Sequence, residues 1–155
     1  MTRSNARTGG QILIDQLVAQ GVERVTCVPG ESYLAALDAL HDSAIDVMIC
    51  RAEGGAAMMA EAYGKLTGRP GICFVTRGPG STNAAHGVHI AMQDSTPMIL
   101  FVADTDRVSA HAYEMLREQI PRVKLITVDN EYVVRGELPG DLVEHMHGPA
   151  KACVV

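Results

Sequence analysis

A carboxylate set where a helix begins can face a ligand, and Glu53 has that setting. It follows an apolar run at 45–50 and opens the small-residue stretch Glu53-Gly54-Gly55-Ala56-Ala57-Met58-Met59-Ala60-Glu61-Ala62-Tyr63-Gly64. Two readings of the residue stand side by side. It is either an acid desolvated against Ala56, Ala57 and Met58 that shares a proton with a ligand, or a first-turn acid stabilised by the helix macrodipole, worth ~0.3–1 kcal/mol. Pro29-Gly30 could let the backbone approach a ligand edge, or could simply turn a strand into a helix with Glu31 in its first turn. Arg77-Gly78-Pro79-Gly80-Ser81-Thr82-Asn83 read alone is a loop and helix N-cap. His86 and His89 are three apart and could share a helix face. With no third ligand in view they read as surface or interface histidines, so no metal site is expected in the chain. Gln93 is a polar residue near a helix end.

These residues need a scaffold, and 155 residues suffice for one domain with a full core. A hydrophobic content of 47% with 20% charged residues is globular, and Ala, Gly and Met supply the close packing. The absence of Trp and the 4% aromatic content argue against stacking platforms for single-stranded nucleic acid. A net charge of −5, with basic residues scattered among acids, would repel a phosphate backbone, so nucleic acid is excluded as a partner. The polar N-terminal residues have no apolar signal core, and no apolar run approaches the ~20 residues a membrane span needs. The expectation is a soluble, cytoplasmic chain with no membrane partner. Cys27, Cys50, Cys73 and Cys153 form no Cys-x-x-Cys pair and read as reduced, small hydrophobes. The first three recur every 23 residues, which fits the beat of a strand-helix unit or chance.

Thr8 or a neighbour could cap a first helix with an apolar stripe of Ile12, Leu13, Leu17 and Val18, ended by Gly21 in a left-handed turn. A strand at 23–28 follows. A helix at 32–41 would place Tyr33, Leu34, Leu37 and Leu40 on one side, and a strand at 46–50 is apolar nearly throughout. The alternation continues with helix 53–66, strand 72–76, helix 81–92 and strand 98–103. Strands alternating with helices predict an α/β fold, a parallel β-sheet with helices on both faces and right-handed crossovers, whose strands are buried on both sides. Ligands of such sheets gather at the carboxyl ends of the strands. Pro29-Gly30, Glu53 and the 77–83 loop would therefore meet on one edge. Further on, 110–119 has helical composition, 123–128 could be a strand and 141–147 a short helix. The chain divides into a flexible N-terminal segment 1–10, a core 11–107, and a divergent, abbreviated end of the same domain, 108–155.

Taken together, Val28-Pro29-Gly30-Glu31, the Glu53 stretch, Leu66-Thr67-Gly68-Arg69-Pro70-Gly71, Thr76-Arg77-Gly78-Pro79-Gly80-Ser81-Thr82-Asn83 and Gln93-Asp94-Ser95-Thr96-Pro97 resemble the pyrimidine-binding (PYR) domain of thiamine diphosphate enzymes. Within that family the wording is closest to the acetolactate synthase and pyruvate oxidase branch, over residues 11–107. The resemblance implies that Glu53 hydrogen-bonds the aminopyrimidine ring nitrogen and so turns the cofactor's own amino group into the base. It implies further that Pro29, Gly30, Thr76, Gly78, Pro79 and Asn83 line the cofactor, and that Gln93 faces the substrate side. Relatives commonly carry a His just before the Glu, where this chain has Ala52. The family binds the diphosphate through Mg²⁺ and a Gly-Asp-Gly motif in another domain, and no such motif occurs here. FAD would belong only to a full-length relative.

The expected function is thus half of a shared site: Glu53 given to a thiamine diphosphate centre for 2-oxo acid decarboxylation or carboligation. The partner would be a second copy in a homodimer or a separate chain carrying the diphosphate-binding domain. Two alternatives remain open at this point, a truncated inactive remnant and a non-catalytic dimerisation module built on the helices at 53–66 and 81–92.

Overall fold

The computed structural model describes residues 7–103 and 126–128. Helix α1 (Gly9–Ala19) is capped by Thr8, whose hydroxyl accepts from the Gln11 amide while the Gln11 side chain accepts from the Thr8 amide, a reciprocal pair that satisfies two orphan donors. The helix ends in a turn at Gly21, φ 74°. Strand β1 (Arg24–Cys27) follows, then a 3-10 turn (Glu31–Tyr33), helix α2 (Leu34–His41) and strand β2 (Asp46–Ile49). Helix α3 (Glu53–Thr67), strand β3 (Gly71–Thr76), helix α4 (Arg77–Gln93) and strand β4 (Met98–Ala103) complete the alternation, and β5 (Ile126–Val128) adds a further strand.

The sheet is parallel throughout, in the order β2-β1-β3-β4-β5. The period of two along β3 and β4 builds both cores. Ile72, Phe74, Ile99 and Phe101 face α1 and α2, while Cys73, Val75, Leu100 and Val102 face α3 and α4. On the first face Tyr33, Phe74 and Phe101 stack, with centroids 5.9 Å and 4.6 Å apart. All three are fully buried, each contributing roughly 1.5–3 kcal/mol through area removed from water. The chain steps from β1 to β2 by way of α2 on one face, and from β2 to β3 and β3 to β4 by way of α3 and α4 on the other. Reversing direction and face together gives the three crossovers one hand, as parallel sheets require.

Helices on both faces of a parallel sheet are as the sequence implies, with four local differences. In α1, Ile14 is buried and Val18 is 44% exposed. Tyr33 precedes α2 in the 3-10 turn, which shifts the phase so that Ala36 and Leu40 face the core and Leu34 points out. β2 is not buried on both faces, because the strand order leaves it at the edge, and its Ile49 is 67% exposed. α4 starts at Arg77, not Ser81, so the expected 77–83 loop is helix. The third proline-bearing position tolerates this because first-turn amides have no intrahelical partner to lose. Ser81 and Thr82 do not cap; their hydroxyls both donate back to the Gly78 carbonyl, at 2.8 and 2.9 Å.

Cys27 and Cys73 are buried in β1 and β3, Cys50 is half-buried just past β2, and all three are free thiols. The expected elements at 110–119 and 141–147, residues 123–125 of the strand expected at 123–128, Cys153, and the domain end at 108–155 apart from β5 lie outside the described residues. Among the described residues no helix is long and apolar enough to cross a membrane.

Candidate functional site

Because the strands are parallel, the segments following β1, β2 and β3 open on the same edge, and their contacts tie them together. Glu53 is the first residue of α3, after Ala52, which caps with no side-chain bond. Its carboxylate is half-buried and accepts from Asn83 Nδ2 on α4, Nδ2–Oε2 3.2 Å. A Cβ added to Gly80 would stand 3.7 Å from Glu53 Oε1, so the missing side chain there leaves the carboxylate's other oxygen room. The expected apolar burial is one-sided: Ala56 and Ala57 point into the core, but Met58 is 41% exposed and faces away from it.

The α3 and α4 starts are held together by close approach. A Cβ on Gly54 would fall 2.0 Å from His86 Cε1 and 2.5 Å from its Nε2, so the imidazole occupies the space that any side chain at 54 would need. His86 therefore packs against the residue that follows Glu53, and stands three residues beyond Asn83 on α4. His86 and His89 are both exposed, and among the described residues no group of three or more His, Cys, Asp or Glu side chains could hold a metal ion.

The β1 connection meets the β3 connection. Gly30 lies so close to Thr76 that a Cβ would stand 2.7 Å from the Thr76 Cβ. The hydroxyls of Ser32 and Thr76 are hydrogen-bonded, Tyr33 donates its hydroxyl to the Val28 carbonyl, and Arg77 Nη2 pairs with Glu31 Oε1 at 2.7 Å. Burial pushes the Tyr33 phenol well above its ordinary value, which keeps it a donor. Burial likewise lifts the thiols behind the site, Cys27 to about 11 and Cys73 to about 12. These contacts lie where β1 leads outward to β2 and β3 leads the other way to β4, the point of reversal at which open α/β sheets bind ligands.

Of the residues singled out from the sequence, Glu53 and Asn83 are bonded, Gly30 and Thr76 touch, and Gly78 and Pro79 form the first turn of α4 between them. Pro29 is exposed on the same connection as Gly30. Gln93 is not brought to this group. It ends α4, ten residues past Asn83, which at 1.5 Å per residue is about 15 Å along the axis. Sequence reasoning gave Ser32 and Arg77 no role of their own and read His86 as a surface or interface histidine. A hydroxyl directly after Gly30-Glu31 and an arginine beside Gly78 were visible signals for two of them, whereas the His86 contact is legible only once α3 and α4 are docked.

The family model described as thiamine pyrophosphate enzyme, N-terminal TPP binding domain, matches residues 7–128. The chain is 43% identical over 102 residues to the acetolactate synthase isozyme 2 large subunit of Escherichia coli (strain K12), covering 66% of this chain and 18% of that protein. It is 39% identical over 99 residues to the acetolactate synthase of Bacillus subtilis (strain 168), covering 64% and 17%. With the acetolactate synthase large subunit of Pyropia yezoensis it shares 34% over 136 residues, 85% of this chain and 23% of that one. The chain thus spans under a quarter of the length of these relatives. A parallel α/β sheet with its acid, carboxamide and glycines gathered at the reversal point, matched over most of its length by one family, makes this chain a member of the thiamine pyrophosphate enzymes, the N-terminal PYR domain of an acetolactate-synthase-like protein.

Proposed function

We propose that this domain gives Glu53 to a thiamine diphosphate site completed by a diphosphate-binding domain. The observation that carries the reading is the Glu53–Asn83 bond at the carboxyl edge, with Gly80 leaving room beside the carboxylate's other oxygen. The donor set fits one end of the cofactor. A carboxylate, a carboxamide, a proline and glycine backbone suit a flat, uncharged aminopyrimidine. Of the arginines on this edge, Arg77 is already paired with Glu31 and Arg51 lies exposed in the connection before Glu53, and among the described residues no group of three or more His, Cys, Asp or Glu side chains could hold a metal ion. The diphosphate and its Mg²⁺ would therefore be held by the partner domain, in a separate chain or a longer protein.

Bound thiamine diphosphate supplies a nucleophilic thiazolium carbon for decarboxylation or carboligation of a 2-oxo acid. The chain's own part is to hold a proton. Asn83 occupies Glu53 Oε2, which turns Oε1 toward the ligand, where it would share a proton with the pyrimidine ring nitrogen. Pro29, Gly30 and Thr76 would form the wall behind the ring, and Gly78 and Pro79 the floor at the start of α4. Gln93 has no part in this arrangement because α4 carries it away from the edge. A partner surface is supported by the outward side of α3, where Met58 and Met59 are each 41% exposed and Leu66 is 85% exposed, an apolar stripe at helical spacing.

Native mass spectrometry of the protein purified gently from its source, with thiamine diphosphate and Mg²⁺ present, tests the reading. An assembly that includes a diphosphate-binding domain and bound cofactor is expected. A chain that travels alone and without cofactor would refute it.

A further inference from the structure

Arg77 carries features that the fold gains little from. It is a non-glycine residue at φ 51°, a conformation that costs L-amino acids energy. Among the described residues its Nε is buried without a hydrogen-bond partner. In return it makes, among those residues, one ion pair, Nη2 to Glu31 Oε1 at 2.7 Å, between side chains 36% and 67% exposed, a kind of pair that stabilises little. A glycine would relieve the backbone and remove the orphaned donor. Strain kept where a cheaper residue would serve the fold points to the site it adjoins.

The location says what it serves. Arg77 lies between Thr76 and Gly78, and Glu31 directly follows Gly30. The ion pair therefore bridges the two connections on either side of the β1–β3 reversal. Beneath it the same connections touch at Gly30 and Thr76 and are joined through the hydroxyls of Ser32 and Thr76. Deepening the function proposed above, on which this rests, we propose that Arg77 is a positioning residue. Through Glu31 it clamps the Pro29-Gly30 turn onto the end of β3, and through its left-handed backbone it sets the direction in which α4 leaves, hence where Gly80 and Asn83 stand relative to Glu53. The clamp pre-forms the wall for the pyrimidine ring, so the cofactor need not order it on binding.

Arg77→Gly separates this role from a structural one, because it removes strain and clamp together, and Glu31→Gln removes the clamp while leaving the Arg77 backbone as it is. Three readouts are taken on the intact assembly: melting temperature, amide hydrogen exchange at residues 30–33 without cofactor, and affinity for thiamine diphosphate with Mg²⁺ by calorimetry. For Arg77→Gly the melting temperature should stay within about 2 °C or rise, exchange at 30–33 should quicken about tenfold, and affinity should fall about tenfold. Glu31→Gln should reproduce the last two in smaller degree. Unchanged exchange in both variants overturns the clamp, and faster exchange with unchanged affinity overturns its positioning role. If Arg77→Gly does not fold, Glu31→Gln decides by the same two readouts. Should the unaltered assembly bind no thiamine diphosphate, it is the proposed function that fails, and the exchange data still judge the clamp.

Discussion

Replacing Gly87 with alanine tests the helix pair that holds the site. Gly87 is buried in α4, and an added Cβ would stand 2.6 Å from the Ala57 Cβ, 2.9 Å from the Ala57 carbonyl carbon and 2.9 Å from the Met58 amide nitrogen. Two of those three atoms are α3 backbone, so no side-chain rotation relieves the contact and the helices must part. Alanine gains about 1 kcal/mol over glycine in a helix, and overpacking costs about 1–3 kcal/mol or more where backbone must move. The steric term wins, with a net loss of about 1–2 kcal/mol, or several degrees at about 2–4 °C per kcal/mol for a chain this long. Gly55→Ala is the matched control. It lies in α3 with nothing within 4 Å of the added Cβ, so it keeps the propensity gain of up to about 1 kcal/mol. Thermal unfolding of both variants followed by circular dichroism should give a lower midpoint for Gly87→Ala and a higher one for Gly55→Ala. A Gly87→Ala variant as stable as the control would refute the α3–α4 packing and, with it, the placement of Asn83 beside Glu53.

Asn83 is exposed and its bond to Glu53 is 3.2 Å long, so Asn83→Ala should change stability by less than about 1 kcal/mol while weakening thiamine diphosphate binding; equilibrium denaturation and calorimetry separate the two. The buried thiols make stability fall in alkali. With Cys27 raised from 9.0 to about 11 and Cys73 to about 12, the folded chain keeps protons that the unfolded chain gives up, so their stabilisation is complete below pH 9 and declines from there toward pH 11–12. The slope is up to about 1.4 kcal/mol per pH unit for each thiol. Denaturation from pH 7 to 11 should show it, and a Cys27→Ala, Cys73→Ala double variant should flatten it.

Elements set by local rules were legible in the sequence. Thr8 announced a cap, Gly21 a stop, and the helix-strand alternation from 53 to 103 the parallel sheet, because each depends on neighbours a few residues away. What depended on docking was not. The apolar run at 46–49 gave no sign that strand order would leave β2 at the edge. Gly78-Pro79-Gly80-Ser81-Thr82 looked like a loop and cap because both glycine and proline break helices; it is helix because Pro79 sits where its missing N–H goes unneeded, and Gly80 packs against Val75. For the candidate site, residue types named Glu53, Gly30, Thr76 and Asn83, whose edge the sheet rule supplied. Gln93, expected on the substrate side, ends α4 about 15 Å along the axis from Asn83, a separation that only the length of the helix reveals. The place of Arg77 beside Gly78 was legible, but its positive φ was not, because an arginine leaves no sequence mark of a left-handed backbone.

The central claim is that Glu53 serves a thiamine diphosphate centre, and Glu53→Gln tests it most directly. The substitution keeps size and can keep an Asn83 hydrogen bond, so the fold and its melting temperature should hold. In the complete assembly, with saturating thiamine diphosphate, Mg²⁺ and pyruvate as the probe 2-oxo acid, turnover should fall by about 10²–10⁴-fold, the range expected for losing a proton-transfer group. Turnover equal to that of the unaltered protein would contradict the account.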